Sequence, residues 1–230
     1  AFVPEGDFLA GEEGFRVHLP PYYLALTCVT NAQYAQFLTE RRPNPAKLRT
    51  WVNLDQSAAI HKEDDTYKAD PEKAKLPVVW VAWEGAAAYC KWAGLRLPSE
   101  LEWEKGARGV DGRLYPWGNE WEEGRPNPGA GEQKPEEITN VWAYPTARSP
   151  YGLYQMVGNV YEWCADWYEE SAYQRYSQGN LKPPHHGEHK VLRGGTWRFG
   201  TPAYLKTEYR KSTVWRAGTM LCGFRCAKSP

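Results

Sequence analysis

The stretch Gly152-Leu-Tyr-Gln-Met-Val-Gly-Asn-Val-Tyr-Glu-Trp-Cys164 decides the fold, together with two later blocks, Val191-Leu-Arg-Gly-Gly-Thr-Trp197 and Gly223-Phe-Arg-Cys226. Gly194-Gly195 ahead of Thr196 and Trp197 permits a positive φ or a close backbone approach where a strand meets a cleft, with the indole filling the space beyond. The plainer alternative is a β-bulge. Alternating apolar residues predict strands at Val160 to Trp163, Lys190 to Leu192, Tyr204 to Tyr209 and Gly223 to Ala227.

Upstream, Phe2 to Gly11, Phe15 to Leu19 and Tyr22 to Leu26 predict an N-terminal β-meander. Tyr34, Phe37 and Leu38 fall at helical spacing behind Thr30 and Asn31, which suit an N-cap. From Arg41 to Lys75 charge and proline dominate, predicting an irregular surface excursion from which Trp51 and Val52 tuck inward. Pro77 to Val81 is a buried-strand candidate. Trp83 to Ala93 is an alanine-rich helix ended by Gly94. Ser99 and Glu102 form a capping box for the next helix, with Glu100 and Glu104 on its surface. Beyond Gly109 glycine and proline break regular structure, and loops of that length are either functional or locally pinned.

The chain of 230 residues suits a single domain, 1–230, able to bury its own core without disulfides. With 28 basic and 28 acidic residues no global field draws it to nucleic acid or an anionic membrane, so neither partner is expected. No apolar run approaches the roughly 18 residues of a membrane span. A soluble protein is expected, with secretion or cell-surface display among the options, and the first residue is not methionine, as after removal of a leader. Twelve Trp and fifteen Tyr beside six Phe favour rings with a polar handle, suited both to a stapled core and to a recognition face. Five cysteines without a C-x-x-C pattern leave the compartment open.

Five blocks, in order, resemble the formylglycine-generating enzyme or sulfatase-modifying factor family: Val29-Thr-Asn-Ala-Gln-Tyr-Ala-Gln-Phe37; Tyr89-Cys-Lys-Trp-Ala-Gly-Leu-Arg-Leu-Pro98 with Glu100, Glu102, Trp103 and Glu104; Tyr115-Pro-Trp-Gly-Asn119; Tyr151 through Trp163; and Arg193-Gly-Gly-Thr-Trp197 with Gly223-Phe-Arg-Cys226. The resemblance runs end to end and implies an α+β chain with a C-type lectin-like fold, low in regular secondary structure and long in loops. Fold alone does not give function.

The oxidases of that family bind copper through two cysteines just past the Arg-Gly-Gly block, thiolates suiting Cu(I). Those positions fall here near Phe199 and Tyr204, and no cysteine stands between Cys164 and Cys222, so copper chemistry is not expected. The iron-dependent sulfoxide synthases resemble the chain less, since the helical domain that supplies their histidines is missing. His185, His186 and His189, in a Pro/Gly-rich run, offer a weak alternative metal cluster, as do Cys222 and Cys226 four apart on a strand. The resemblance implies instead a Cys90–Cys226 bridge. It also implies a structural calcium held by the Gly158 and Val160 carbonyls with the Gln155 and Glu162 side chains, although Gln155 replaces the usual Asn or Asp. A second calcium loop of the family maps near residues 127–137, where the spacing is too altered for assignment.

The remaining groove comprises Trp197, Arg198, Phe199, Tyr204, Glu208, Arg210, Trp215 and Arg216, residue types that anchor recognition sites. If Tyr204 to Tyr209 is a strand, about half of that set faces the core. The expected function is a non-catalytic module binding a protein or small-molecule ligand, resembling the variable proteins of diversity-generating retroelements. The alternative is a metal-dependent oxidoreductase acting on a thiol substrate.

Overall fold

The computed structural model describes residues 1–122, 124–125, 138–198 and 201–230. Phe199 and the 127–137 segment lie outside the described residues. The described chain contains eleven strands, β1 (Phe2–Val3), β2 (Gly6–Ala10), β3 (Phe15–Leu19), β4 (Tyr22–Leu24), β5 (Ile60–Glu63), β6 (Thr66–Ala69), β7 (Tyr161–Trp167), β8 (His189–Arg193), β9 (Lys211–Val214), β10 (Cys222–Gly223) and β11 (Ala227–Lys228). Its α-helices are α1 (Asn31–Arg41), α2 (Pro45–Trp51), α3 (Leu54–Ser57), α4 (Trp83–Trp92), α5 (Glu100–Arg108) and α6 (Ala172–Ser177). No helix among the described residues is long and apolar enough to cross a membrane.

The sheet that carries the opening blocks runs β10-β7-β8-β9, with β10 parallel to β7 and the other pairs antiparallel. Its register sets Glu162 opposite Arg193 and Trp163 opposite Leu192. A second sheet, β1-β4-β11, joins the two ends of the chain, while β2 and β3 pair as a hairpin, so the expected N-terminal meander is split: β4 pairs with β1 and β11 instead of β3. Between the sheets α5 buries nearly its whole circumference. Trp103, Trp163, Phe37 and Phe224 are fully enclosed, so rings of the first, second, fourth and fifth blocks build the core. This is the α+β, C-type lectin-like architecture.

Local signals act as expected at both main helix starts. Thr30 and Gln33 form a reciprocal capping box on α1, and Ser99 and Glu102 form another on α5, each satisfying two orphan helix donors. Gly194 and Gly195 both adopt positive φ, +95° and +69°.

Several expectations need correction. Glu100 and Glu104, expected on the surface of α5, are buried, and Gly223 to Ala227 is not one strand, since β10 ends at Gly223 and β11 starts at Ala227. The charged segment 41–75 is not irregular: Asn44 caps α2 with Pro45 at its first turn, and Asp64, at φ +51°, turns the β5–β6 hairpin. Trp51 and Val52 are nonetheless buried. Pro77 to Val81 forms only isolated bridges, because Trp80 at φ +60° interrupts the extended backbone and its N–H turns to the Thr219 carbonyl at 2.8 Å. Tyr204 to Tyr209 is not a strand. Pro202 opens a 3₁₀ turn through Leu205, and the pairing strand against β8 is β9 instead.

Candidate ligand-binding site

The Gly-Gly step shapes the site. A Cβ on Gly195 would stand 2.6 Å from both the Tyr204 carbonyl oxygen and Leu205 Cδ2, so only glycine lets the 202–205 turn lie against the end of β8. Beside that turn opens a cavity of about 340 Å³ lined by Tyr161, Tyr204, Tyr209, Lys211, Thr219 and Cys222, among others. Tyr204 and Tyr209 pack with ring centroids 5.1 Å apart, and Tyr204 is 44% exposed. Burial, then the neighbouring Tyr209, pushes the Tyr161 phenol well above its ordinary range, so it stays a hydroxyl. The wall therefore offers phenolic rings and hydroxyls with one lysine, a surface for orienting a ligand by stacking and hydrogen bonds.

Thiol chemistry is disfavoured in this cavity. Burial pushes Cys222 up to about 11, the Thr219 hydroxyl donates to its sulfur at 3.2 Å, and the reactive thiolate is scarce at neutral pH. Cys226 instead faces Cys90, sulfur to sulfur 3.3 Å, and both are buried thiols in this structure. Cys222 and Cys226 thus have different partners. Among the described residues no group of three or more His, Cys, Asp and Glu is placed to hold a metal ion, and His185 and His186 are exposed on their loop.

Behind the site lies a buried ionic network. Arg193, fully enclosed, donates to Glu104 at 2.6 Å, to the Glu208 and Tyr209 carbonyls at 2.8 and 3.0 Å, and to the Thr207 carbonyl at 2.9 Å. Glu104 also accepts from Arg108 at 2.8 Å, from the Gly11 amide at 2.7 Å and from the Tyr173 hydroxyl. Arg210 grips Glu100 through two bonds, 2.7 and 3.0 Å, with its guanidinium over the Tyr173 ring. Glu208 approaches Arg108 at 3.4 Å and Lys206 at 3.5 Å.

The sequence-derived groove set is therefore dispersed. Tyr204 lines the tyrosine cavity. Glu208 and Arg210 border a neighbouring cleft of about 370 Å³ with their charges already matched internally. Trp197 is buried on a different cavity, and Arg198 is exposed with Nη1 3.8 Å from the Met220 sulfur. Trp215 and Arg216 stack on each other, ring to guanidinium 4.5 Å. Residues missed from sequence are Tyr161, Tyr209, Lys211 and Thr219. Tyr161 stands inside the opening block with nothing in its sequence setting to mark it as cavity-lining, while Lys211 becomes visible only once β9 is paired with β8.

The calcium set does not fit. Both oxygens of the fully buried Glu162 carboxylate are occupied, by Arg225 at 2.6 and 2.7 Å, by the Trp103 indole at 2.8 Å and by the Cys28 thiol at 3.2 Å. The guanidinium already supplies the matching charge. The Gln155 amide is likewise committed, accepting from Asn159 at 2.7 Å and donating to the Asn140 carbonyl at 2.9 Å.

Residues 1–230 match the sulfatase-modifying factor enzyme 1-like domain. A Chlamydia pneumoniae protein, serine/threonine-protein kinase pkn1, is 37% identical over 99% of the chain, which spans 37% of that protein's length. The inactive C-alpha-formylglycine-generating enzyme 2 of Mus musculus is 38% identical over 99% of the chain and 84% of its own. Among solved structures, Treponema denticola variable protein 1 superposes with a TM-score of 0.71 at 22% identity, covering 100% of this chain and 94% of that one, a likeness of fold.

Proposed function

This chain belongs to the sulfatase-modifying factor enzyme 1-like family, and we propose that within it the protein is a non-catalytic ligand-binding module. Its recognition surface is the C-terminal segment around the tyrosine cavity. One observation carries the reading: where the family's oxidases place a cysteine, this chain presents Tyr204, exposed at the mouth of a cavity whose lining thiol is held protonated. The mouse relative described as inactive is in keeping with a family frame used without oxidase chemistry.

Exposed side chains on a fixed backbone favour the variable-protein subclass. Ala203 and Tyr204 are exposed on a turn that packs against Gly195 and is anchored beyond it by Arg193, and Arg198 is exposed ahead of that turn. That subclass requires a near-identical, adenine-rich template repeat and a reverse transcriptase beside the gene, and a sequenced locus with neither removes it. The kinase relative favours a second reading, a sensing domain carried on a larger signalling chain, which the intact mass of the endogenous protein would test.

The binding reading is tested by a thermal-shift screen of small phenols, carboxylates and short peptides against the wild type, Tyr204→Ala and Lys211→Ala. Ligands of this cavity lose about tenfold or more in affinity in at least one variant, the scale of one lost anchor. Undiminished binding in both variants would sink the assignment. Stoichiometric copper or iron, with oxygen consumed in the presence of a thiol substrate, would replace it with the oxidoreductase.

A further inference from the structure

The sheet that carries the opening blocks ends in a strand with one side unpaired. In the order β10-β7-β8-β9, β9 bonds only to β8, and among the described residues no further strand covers its outer edge. Such an edge is a template for another chain, which folds usually shield with bulges, proline, charge or a covering loop.

The alternation of the ladder decides which groups are left over. The His189 carbonyl accepts from the Tyr168 amide at 2.8 Å, so His189 turns toward β7, and Val191 and Arg193 turn with it. Lys190 and Leu192 then turn toward β9, where they face Thr213 and Lys211. The alternate residues Ser212 and Val214 direct their main-chain groups outward. The Val214 carbonyl is taken by the Ala217 amide at 2.9 Å, as that direction requires. The Ser212 N–H and carbonyl have no partner among the described residues, and Ser212 is partly exposed.

This edge opens on the tyrosine cavity, whose lining includes Lys211, Ser212 and Thr213. Pleating puts Lys211 and Thr213 on the sheet face that carries Leu192. Lys211 is exposed, and it is the single charged residue among the described lining. Its cationic neighbours are matched, Lys206 by Glu208 and Arg210 by Glu100, whereas Lys211 has no carboxylate partner among the described residues. A lysine on an edge discourages pairing with a second copy of that edge and favours a strand that brings a carboxylate.

We propose that β9 takes an extended acidic segment of a partner protein as a fifth strand of this sheet, its main chain bonded to Ser212 and one Asp or Glu laid beside Lys211 at the tyrosine cavity. In an antiparallel addition the residue opposite Ser212 exchanges both main-chain bonds with it. The next residue along the segment points to the other face, where Lys211 and the cavity lie. Main-chain bonds hold any extended sequence, and the carboxylate supplies the selection. The assignment rests on the reading of the tyrosine cavity as the recognition surface and names the kind of partner it takes.

The test pans random peptides displayed on phage against the full chain and measures the selected peptides by fluorescence polarisation. The selected peptides carry Asp or Glu, and exchanging that residue for Lys weakens binding about tenfold or more. Methylating their main-chain nitrogens one at a time weakens binding at alternate positions, the signature of a paired strand. Ser212→Pro deletes the outward N–H, which an edge strand tolerates, so the melting temperature holds while peptide affinity falls about tenfold. Lys211→Glu rejects the acidic peptides and accepts their lysine counterparts, which keeps the test decisive should the proline variant misfold. Small phenols and carboxylates seated in the cavity are indifferent to Ser212→Pro. Their retained binding with no peptide selected overturns the added strand alone, whereas absence of both kinds of ligand removes the cavity reading with it. Selected peptides without acidic residues, affinities unmoved by methylation, no reversal of preference in Lys211→Glu, or dimers that Ser212→Pro dissolves each overturn the inference.

Discussion

Gly195 lies directly against Tyr204, so close that a single added methyl would meet the Tyr204 carbonyl oxygen at 2.6 Å. With φ at +69°, Gly195→Ala suffers backbone strain as well as collision. A loss of about 2–4 kcal/mol is expected from strain and overpacking together, read as a lower urea midpoint at unchanged slope. Ligand binding by the tyrosine cavity should fall with it, because the 202–205 turn must move. An unchanged midpoint would show that the turn does not rest on this glycine.

Arg193 and Glu104 are both fully enclosed and 2.6 Å apart. Arg193→Met leaves Glu104 with Arg108, but frees the carbonyls of Thr207, Glu208 and Tyr209. Breaking a buried pair by removing one partner costs about 3–5 kcal/mol. Chemical denaturation of Arg193→Met and of Arg193→Met with Glu104→Gln separates the two contributions. If the double variant recovers stability, the cost lies in the stranded carboxylate, and if it does not, it lies in the released carbonyls.

Asp166 provides a pH signature. Burial, then the Glu100 carboxylate, raises it from the ordinary carboxylate value to about 6, partly offset by the Glu100 amide bonded at 2.7 Å and by Lys190. The folded state therefore holds this proton more tightly than the unfolded chain. Its contribution to stability is fully present below about pH 4 and is lost as pH rises to about 6, amounting to roughly 2–3 kcal/mol at most. Asp166→Asn should flatten this segment of the stability profile relative to the wild type. A parallel profile in the variant would contradict the assignment.

Cys90 and Cys226 lie in contact, and the neighbouring Cys226 thiol followed by burial raises the Cys90 thiol well above its usual value. Oxidation would tie α4 to the end of the chain across 136 positions. A bridge there is expected to stabilise by about 2–5 kcal/mol. Intact mass after mild oxidation reports the loss of two hydrogens, and melting with and without reductant reports the energy. If Cys90→Ala and wild type respond identically to oxidant, the pair does not bridge.

Much of the fold was written in short-range signals. Thr30 with Gln33 and Ser99 with Glu102 are complete within four residues, so their helix starts were legible. The opening blocks were legible because their glycines and rings meet needs that few other residues satisfy. Trp80 was not, since nothing local announces a tryptophan in left-handed backbone, and its partners Thr219 and Asn53 are remote in sequence. The segment 204–209 reads as a strand by alternation, but Arg193 takes the carbonyls that a neighbouring strand would have used.

The candidate site was less legible than the fold for the same reason. Glu208 and Arg210 carry charge in a loop that looks exposed, and sequence cannot reveal that Arg108 and Glu100, about a hundred residues earlier, neutralise them. Tyr161 was visible, but its place beside Tyr204 and Tyr209 depends on β10 and β9 flanking β7 and β8.

Arg193 holds residues 207–209 by their main-chain oxygens, while the Thr207 hydroxyl donates to the Arg113 carbonyl and Glu208 pairs with Arg108 and Lys206. A main-chain anchor is indifferent to spelling, but two of these letters are also read by their neighbours. The freedom to rewrite this part of the chain therefore falls to Ala203 and Tyr204, whose side chains are exposed, and not to the residues that Arg193 grips.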